Sequence, residues 1–219
     1  MIKSVIWASM LDYPGHVCAT LFFGECNFNC EFCHNKNMRK LDNMDFDKEI
    51  LPKLLERQEL VNYVALSGGE TAYAPDSQEI LDILYEKGFN IGLHTNGTVP
   101  EFLEKNINKV KFIGMDIKNN LENYNEICRV EVNIKNIKKS IDFILKSGVE
   151  YEFRTTVYPQ YVDASSCINI AKYLKEHGAT SYVLQQYNKI EGAEVEPYGE
   201  EKLANIVKEC NNYLNTRLK

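Results

Sequence analysis

Residues 24–35 read Gly24-Glu-Cys-Asn-Phe-Asn-Cys-Glu-Phe-Cys-His-Asn35, and this stretch decides what fold and chemistry the chain is expected to have. It places Cys26, Cys30 and Cys33 in a C-x3-C-x2-C array directly after an apolar run, Val17 to Phe23. Three thiols this close together in one loop are typical of metal or cluster ligands. The remaining cysteines are single and scattered, and we interpret them as structural thiols: Cys18, Cys128, Cys167 and Cys210.

The number of thiols in this loop distinguishes between the possible metal centres. A [4Fe–4S] cube takes one thiolate per iron, so three cysteines leave the fourth iron open to a ligand that is not protein. A structural zinc site instead takes four ligands, usually as two close pairs, and no second pair is present. The array therefore predicts an iron–sulfur cluster with an open iron. The alternative is a zinc site completed by His34 or Cys18, which would give a colourless protein.

At these residues the sequence resembles the radical SAM enzymes, whose signature is the same C-x3-C-x2-C spacing. Three further elements resemble the activases of glycyl radical enzymes within that family. They are Asp12-Tyr-Pro-Gly15 ahead of the first strand, Cys33-His-Asn35 at the end of the loop, and Ser67-Gly-Gly-Glu70 downstream. Among such activases the likeness is to the activating protein of anaerobic ribonucleoside-triphosphate reductase.

The resemblance implies two cofactors, a [4Fe–4S] cluster and S-adenosylmethionine (SAM) bound at the open iron. It implies that SAM is cleaved reductively to a 5′-deoxyadenosyl radical, which removes a hydrogen atom from a glycine Cα of a partner enzyme. The implied partner is a glycyl radical enzyme, anaerobic ribonucleotide reductase, and the implied electron donor is a low-potential protein such as flavodoxin or ferredoxin.

Two other functions stay open at this point. A radical SAM enzyme that modifies a peptide or a small molecule would share all of these elements except the partner. A non-catalytic iron–sulfur electron carrier would need only the cysteine loop, and would not need Gly68 to Glu70 or the Asp116-Ile-Lys118 element.

Length and composition suit one globular domain. The chain has 219 residues, of which 44% are apolar and 26% charged, so we predict a single domain covering residues 1–219. The net charge of −6 argues against a nucleic-acid-binding surface. No apolar run is long enough to span a bilayer and no signal peptide is evident, so we predict no membrane partner and a cytoplasmic location. Seven cysteines without an export signal fit reduced thiols.

The rest of the chain alternates between β-rich and helical runs, which predicts βα units with a parallel sheet. Strands are predicted near Val17–Phe23, Tyr63–Ser67, Asn90–His94, Lys111–Asp116, Tyr151–Val157 and Ser181–Gln185. Helices are predicted near Asp47–Glu59, Ser77–Lys87, Pro100–Asn106, Asn133–Ser147, Ser165–His177 and Glu200–Arg217. Six units are two short of a closed eight-stranded barrel. We therefore predict an α/β fold, a partial (β/α)6 TIM-like barrel of the radical SAM type, with Ile2–Met10 as an edge strand or a cover.

Polar clusters lie at or near the C-terminal ends of the predicted strands. In parallel α/β folds the functional residues collect in these loops, and six clusters on one rim indicate an active site more strongly than any single motif does. The clusters are the cysteine loop, Ser67-Gly-Gly-Glu70, His94-Thr-Asn-Gly97, Asp116-Ile-Lys118, Arg154-Thr-Thr156 and Gln185-Gln-Tyr187.

The resemblance assigns SAM contacts to several of these clusters. Gly68, Gly69 and Glu70 would hold the methionine amino group, since glycine lets backbone approach a ligand closely. In the family a proline usually follows this glutamate, whereas here the residue is Thr71, so the shape of the loop is open.

Further SAM contacts are implied at other positions. The backbone of Phe32 would meet the adenine, and Thr95 and Asn96 would lie near the ribose and carboxylate. Asp116 and Lys118 match a D-x-K element, in which Lys118 is suited to pair with the SAM carboxylate; the alternative is a salt bridge at a strand end.

Three more residues complete the candidate site. His34, in the Cys-His-Asn element, is included among the cofactor-binding residues. Arg154 lies on an otherwise apolar strand, where a buried charge is costly unless paired, so SAM or the substrate backbone is its expected partner, with Gln186 as a second rim group. His94 stands where some activases carry an aspartate that helps hold a monovalent cation, and a lone histidine there is more often structural.

Overall fold

The computed structural model describes residues 1–190 and 192–219. The chain divides into two compact units. The first unit contains Met1–Asn27, Asn35–Thr95 and Glu101–Gly114, and the second contains Phe28–His34, Asn96–Pro100 and Met115–Lys219. The expectation that residues 1–219 form a single domain stays a prediction.

Eight strands, hydrogen-bonded in sequence order from β1 to β8, form the sheet of the described residues. Their bounds are β1 Ile2–Ser9, β2 Cys18–Phe23, β3 Tyr63–Gly68, β4 Asn90–Thr95, β5 Val110–Asp116, β6 Glu150–Val157, β7 Ser181–Gln186 and β8 Asn215–Leu218. The β1 strand runs antiparallel to β2, whereas β2, β3 and β4 are parallel to one another, as are β6, β7 and β8. All six predicted strands are present, and Ile2–Met10 does form an edge strand. The α/β class with a mostly parallel sheet is confirmed.

Seven α-helices occur in the part of the chain that the structure describes. They are α1 Leu51–Glu56, α2 Ser77–Glu86, α3 Pro100–Asn106, α4 Tyr124–Cys128, α5 Ile134–Ser147, α6 Ala164–Glu176 and α7 Glu200–Cys210. Local capping explains why the predicted ends of α5 agree with the structure. The Asn133 side chain accepts from the Lys135 amide at the start of α5, and Gly148 ends that helix at φ +73°. None of the described helices is both long enough and apolar enough to cross a bilayer.

The last predicted helix, Glu200–Arg217, is wrong in its second half. The α7 helix ends at Cys210, and β8 then pairs in parallel with β7, with Ser181 opposite Asn215. The side chain of Asn211 stabilises the turn. Its Nδ2 donates to the Thr216 carbonyl (2.8 Å), and its Oδ1 accepts from the Thr216 backbone amide (2.9 Å). Asparagine side chains compete with helical backbone bonds in this way, but the strand itself depends on β7, which a local pattern does not reveal.

The Asp12-Tyr-Pro-Gly15 element fills the interior of the first unit. The Tyr13 ring is buried with Cys18, Ala65 and Phe112, and it lies so close to Gly92 that a Cβ there would be 2.9 Å from it. The Asp12 carboxylate accepts hydrogen bonds from the hydroxyls of Ser9 (2.6 Å) and Thr20 (2.9 Å). The element is therefore part of the packed core.

The His94 side chain belongs to the same packing. Its Nε2 lies 2.7 Å from the Asp12 carbonyl oxygen, and its ring is buried against Phe112. This contact supports the structural interpretation of His94 and gives no support to a cation site there.

Candidate active site

The cysteine loop follows β2 directly, and its three thiols fall within eight consecutive residues. Cys26 belongs to the first unit, and Cys30 and Cys33 belong to the second. None of the cysteines of the described residues forms a disulfide; Cys26 and Cys33 are half-buried and Cys30 is buried. Among those residues no three His, Cys, Asp or Glu side chains converge on a point that could hold one metal ion. A cube differs from such a site because each of its thiolates binds a separate iron.

In the first unit, Gly69 packs against the backbone of the cysteine loop, and Gly68 packs against the backbone at the end of β2. A Cβ on Gly69 would overlap the Glu25 carbonyl group and would come 3.2 Å from the Cβ of Cys26. Gly68 has φ +106°, a value that side chains rarely tolerate. The Asn35 side chain donates to the Gly68 carbonyl (2.6 Å). Both glycines and the asparagine of the Cys-His-Asn element therefore fix the loop around its first cysteine.

Glu70 is completely buried beside these glycines. Its Oε1 accepts from the Thr95 hydroxyl (2.7 Å) and from the Ala72 amide (3.1 Å). The second of these bonds caps the short 3-10 turn Thr71–Tyr73. The structure thus brings the predicted residues Glu70 and Thr95 together, and it gives Glu70 a capping function that the sequence did not reveal.

Thr71, at the position where the family usually has proline, begins this 3-10 turn. The preceding residue, Glu70, has φ −116° and ψ +110°, close to the extended conformation that a following proline favours. The Thr71 hydroxyl is buried without a hydrogen-bond partner. The loop therefore has the backbone shape compatible with a proline, although the residue is threonine.

In the second unit, three charged side chains form one ion-pair cluster. Lys118 Nζ lies 2.9 Å from Asp116 Oδ2, and the Nε and Nη2 of Arg154 each lie 2.9 Å from Asp116 Oδ1. The side chains of Arg154 and Lys118 are only 8% and 15% exposed. Two cations share one carboxylate, so the three groups carry one net positive charge. Such a cluster suits an anionic ligand, because charge-assisted hydrogen bonds to a carboxylate are strong.

The charge of Lys118 is held by its neighbours. Burial by itself would lower the pKa of Lys118, but the Asp116 carboxylate and the adjacent Cys30 sulfur raise this pKa above its ordinary value. The lysine therefore stays protonated at any working pH. It also lies over the Phe32 ring, with its Nζ 5.9 Å from the ring centroid.

The surroundings of Cys30 lower the pKa of its thiol, whereas burial raises the pKa of Cys18, Cys167 and Cys210. A hydrogen bond with the Cys128 thiol lowers the pKa of Cys30 to about 7, against the opposing effect of burial and with help from the Lys118 charge. The thiolate is the form that binds iron. Cys128 was interpreted as a remote structural thiol, and its position beside Cys30 is a contact that the sequence analysis missed.

Aromatic rings lie beside Phe32 and His34, the residues on either side of Cys33. Phe32 stacks on Tyr158, with ring centroids 5.1 Å apart, and Tyr187 meets Tyr158 edge to face at 4.8 Å. His34 is exposed and its ring lies 6.3 Å from that of Tyr187. A cavity of about 380 Å³ opens beside this group, within the size range of small-molecule sites. Tyr187 belongs to the predicted Gln185-Gln-Tyr187 cluster, whereas Tyr158 was not predicted, and no spacing pattern connects either ring to Phe32.

Asn96 and Gly97 form the turn after β4. The Asn96 side chain accepts from the amide (3.0 Å) and hydroxyl (2.6 Å) of Thr98, and Gly97 has φ +77°. A Cβ on Gly97 would overlap the Met115 side chain. The contacts of Asn96 described here are those of a turn, and its part in SAM binding stays a prediction.

Comparison with known proteins identifies the family. The model of the radical SAM superfamily matches residues 20–167, more than half of the chain. The chain belongs to the radical SAM superfamily. Its relatives include MJ1227 of Methanocaldococcus jannaschii, a proposed glycyl-radical enzyme activating enzyme. The identity is 32% over 201 residues, covering 85% of this chain and 80% of MJ1227.

Two further comparisons agree. MJ1632, a second proposed activating enzyme of the same organism, is 32% identical over 80% of this chain and 70% of its own length. Among solved structures, SuiB of Streptococcus suis bound to S-adenosylmethionine superposes with a TM-score of 0.69 at 16% identity. That match covers 90% of this chain but 48% of SuiB, so the chain spans about half the length of SuiB. The likeness confirms the radical SAM type of partial barrel.

Family membership settles the class of chemistry. The chain is a radical SAM oxidoreductase, and its cofactors are a [4Fe–4S] cluster and SAM. The described residues fit both groups. The loop offers three thiols that form no disulfide, and the pKa of Cys30 is lowered. The ion-pair cluster around Asp116 carries surplus positive charge for a carboxylate.

Proposed function

We propose that the chain is an activase that generates a glycyl radical on a partner enzyme. The observation that carries this proposal is its likeness to two proteins named as glycyl-radical enzyme activating enzymes, over 85% and 80% of this chain. The Asp12-Tyr-Pro-Gly15 and Cys33-His-Asn35 elements support it by resemblance. Both elements are fastened by specific contacts, through Asp12 to Thr20 and through Asn35 to Gly68.

Each cofactor has a proposed set of residues. Cys26, Cys30 and Cys33 hold the cluster, and Lys118 with Arg154 faces the SAM carboxylate. When bound and reduced, the cluster supplies one electron to the SAM sulfonium, so that the C5′–S bond breaks into methionine and a 5′-deoxyadenosyl radical. The chain orients SAM and excludes water from it, and no protein group has to act as an acid or base.

Further SAM contacts follow the family pattern. Gly68, Gly69 and Glu70 are assigned to the methionine amino group, with Thr95 nearby. Glu70 already binds Thr95 and Ala72 through Oε1, so its position is fixed before SAM arrives. Such preorganisation lowers the entropic cost of binding.

The adenosine end of SAM is assigned to the second unit. Phe32 would meet the adenine through its backbone, held in place by its stack on Tyr158. Asn96 and His34 complete this set by resemblance. These assignments are the ones that a structure with bound SAM tests directly.

The proposed substrate is a glycine of the partner, whose Cα hydrogen atom would be transferred to the 5′-deoxyadenosyl radical, leaving 5′-deoxyadenosine and a glycyl radical. Glycine has no side chain to grip, so recognition falls on the backbone of the substrate loop. Arg154 and Gln186 are the proposed rim groups for this contact. The cavity of about 380 Å³ lined by Glu31, Tyr158 and Tyr187 offers space for neighbouring side chains of the loop.

The partner that we favour is an anaerobic ribonucleotide reductase, because the likeness within the family is to its activating protein. The electron donor is a low-potential protein such as flavodoxin or ferredoxin. A reducing cytoplasm suits the free thiols of the described residues, and the net charge of −6 fits a protein partner better than nucleic acid.

The test is an anaerobic reaction followed by EPR. The reconstituted protein is mixed with SAM, dithionite and the anaerobic reductase from the same genome. We expect a glycyl radical doublet together with 5′-deoxyadenosine, and neither product with the Cys30→Ala variant. A glycyl radical on another enzyme of that genome would change the partner, whereas SAM cleavage with no protein radical would favour a peptide or small-molecule substrate.

A further inference from the structure

The C-terminal end of α4, formed by Cys128 and the capping residue Arg129, contacts three consecutive residues of the cysteine loop. The Asn29 amide donates to the Cys128 carbonyl at 3.0 Å. The Cys30 thiol is hydrogen-bonded to the Cys128 thiol. The next residue, Glu31, is ion-paired with Arg129, with 2.5 Å between Oε2 and Nη2. Each contact joins segments about 100 residues apart in the sequence, so we call Cys128 and Arg129 the loop clasp.

The backbone at Arg129 is unusual. Arg129 has φ +53° and ψ +32°, and among the described residues it is the only non-glycine with a positive φ. Glycine and asparagine are the residues that occupy this conformation most readily. An arginine there is less favourable for the backbone, and backbone outliers of this kind often occur at functional sites. Its side chain reaches Glu31, between two of the three cluster cysteines.

The clasp has a rigid base. The α4 residues Tyr124, Ile127 and Cys128 are buried, with at most 1% of each exposed. The Arg129 amide donates to the Asn125 carbonyl (2.9 Å), and the Val132 amide donates to the Asn125 side chain (2.9 Å). The helix is buried and Asn125 accepts hydrogen bonds from the backbone that follows it, so this end of α4 is well fixed and can hold the loop that it contacts.

We propose that Arg129 is a positioning residue that holds the cysteine loop in its ligating conformation through Glu31. The proposal rests on this loop being the cluster site, as the proposed function has it, and is independent of the identity of the partner. Partners outside the first ligand shell commonly control how firmly a metal site is held. Opening the clasp should therefore loosen the loop and speed the loss of the cluster, with little effect on the fold.

The variants separate the side chain from the backbone. Arg129→Asn removes the charge but keeps a residue suited to positive φ, so the cluster-free variant should melt at the same or a higher temperature than the wild type. Glu31→Gln removes the partner charge without touching that backbone. Iron release to a chelator is measured without oxygen as the loss of visible absorbance. We expect its rate to rise about threefold or more in each variant, which corresponds to the free energy of an exposed ion pair.

The pairing is tested by the combined variant and by rescue. Arg129→Asn with Glu31→Gln should release iron no faster than either single variant, and Arg129→Lys should recover part of the wild-type half-life. Lys109→Ala serves as the matched control, because Lys109 forms an ion pair of the same 2.5 Å length with Asp82, remote in sequence from the loop. Unchanged release in Arg129→Asn and Glu31→Gln, or fully additive effects, would overturn the proposal.

A second readout needs no cluster. In the cluster-free protein, hydrogen exchange of the segment 28–32 should be faster in Arg129→Asn and in Glu31→Gln than in the wild type, because the Asn29 amide is bonded to the clasp. Exchange in α5 should not change. This result would stand even if the protein activates no glycyl radical enzyme, and equal exchange in all variants would count against the clasp.

Discussion

The seven thiols of the chain differ in their surroundings, and these differences predict their chemistry. Cys26, Cys30 and Cys33 lie in one loop, and the pKa of Cys30 is lowered to about 7. Cys167, in contrast, is buried in α6, and burial raises its pKa well above the ordinary value for a thiol. A thiol that stays protonated is a poor iron ligand. The pKa values of Cys30 and Cys167 therefore differ in the direction that the proposed ligand set requires.

The first prediction concerns these cysteines. Cys26→Ala, Cys30→Ala and Cys33→Ala should each abolish the cluster, while Cys167→Ala should keep it. The wild-type protein, reconstituted without oxygen, should be brown and contain about four irons per chain. Iron and acid-labile sulfide are measured together with zinc. Stoichiometric zinc in the anaerobically purified protein would show that the loop is a zinc site.

The second prediction concerns Lys118. Lys118→Ala should weaken SAM binding by about 1.5–3 kcal/mol, the value of a charged hydrogen bond, or roughly tenfold or more in affinity. The cluster should stay, because Lys118 is not one of its proposed ligands, and Asp116 keeps its ion pair with Arg154. Binding is measured by titrating SAM against the EPR signal of the reduced cluster. An unchanged titration would leave Lys118 as a strand-end salt bridge only.

At the scale of elements, the loop after β3 shows how one turn joins several predicted residues. Glu70, two residues after the end of β3, is extended and caps the 3-10 turn that begins at Thr71. Its carboxylate also accepts a hydrogen bond from the hydroxyl of Thr95, at the end of β4. The loop is therefore shaped by contacts between neighbouring strand ends, and its conformation tolerates the absence of proline.

The third prediction follows from this conformation. Thr71→Pro should stabilise the protein by about 0.4–1 kcal/mol, because proline restricts the unfolded chain at a site whose backbone already suits it. Removal of the buried, unpartnered Thr71 hydroxyl should add to the effect. Chemical denaturation of the cluster-free protein measures the change, with Thr71→Val as the control for loss of the hydroxyl alone. A destabilised Thr71→Pro variant would contradict the compatibility of this turn with proline.

At the scale of the whole molecule, the strand β8 extends the parallel arrangement of β6 and β7. It brings Arg217 and Lys219 to Glu152, a β6 side chain that is only 9% exposed. A buried carboxylate needs such partners, because an unpaired charge in the interior is costly. The final residues of the sequence thus contribute to the stability of a strand more than 60 positions earlier.

The fourth prediction tests this contribution. Arg217→Met should keep the apolar part of the side chain but leave Glu152 with Lys219 alone, so the free energy of unfolding should fall by about 1–3 kcal/mol. Combining it with Glu152→Gln should recover part of the loss, since the amide carries no charge. Thermal and urea unfolding of the cluster-free protein give both values. Equal stability of the wild type and Arg217→Met would show that water already solvates Glu152.

Much of the candidate site could be predicted from local sequence, whereas its connections could not. The cysteine spacing, the glycines of Ser67-Gly-Gly-Glu70 and the strand positions are all patterns of neighbouring residues. The predicted strand positions agree with the fold, whereas the ligand assignments stay predictions. Cys128 beside Cys30 and the tyrosines around Phe32 depend on segments about 100 or more residues away in the sequence. The periodicity of neighbouring residues does not predict contacts between segments so far apart.

Short-range patterns in the sequence thus predict the family, the cofactors and six of the eight strands, with β1 expected as an edge strand or a cover. These follow from short-range chemistry: thiol spacing, glycine conformation and hydrophobic alternation. Three features depend on tertiary contacts and were not predicted. Asp116 forms ion pairs with both Lys118 and Arg154, Glu70 caps a turn, and Asn215–Leu218 form a strand. The physical reason is that side-chain partners and edge strands are selected by packing between distant segments, whose contacts form only when the whole sheet is assembled.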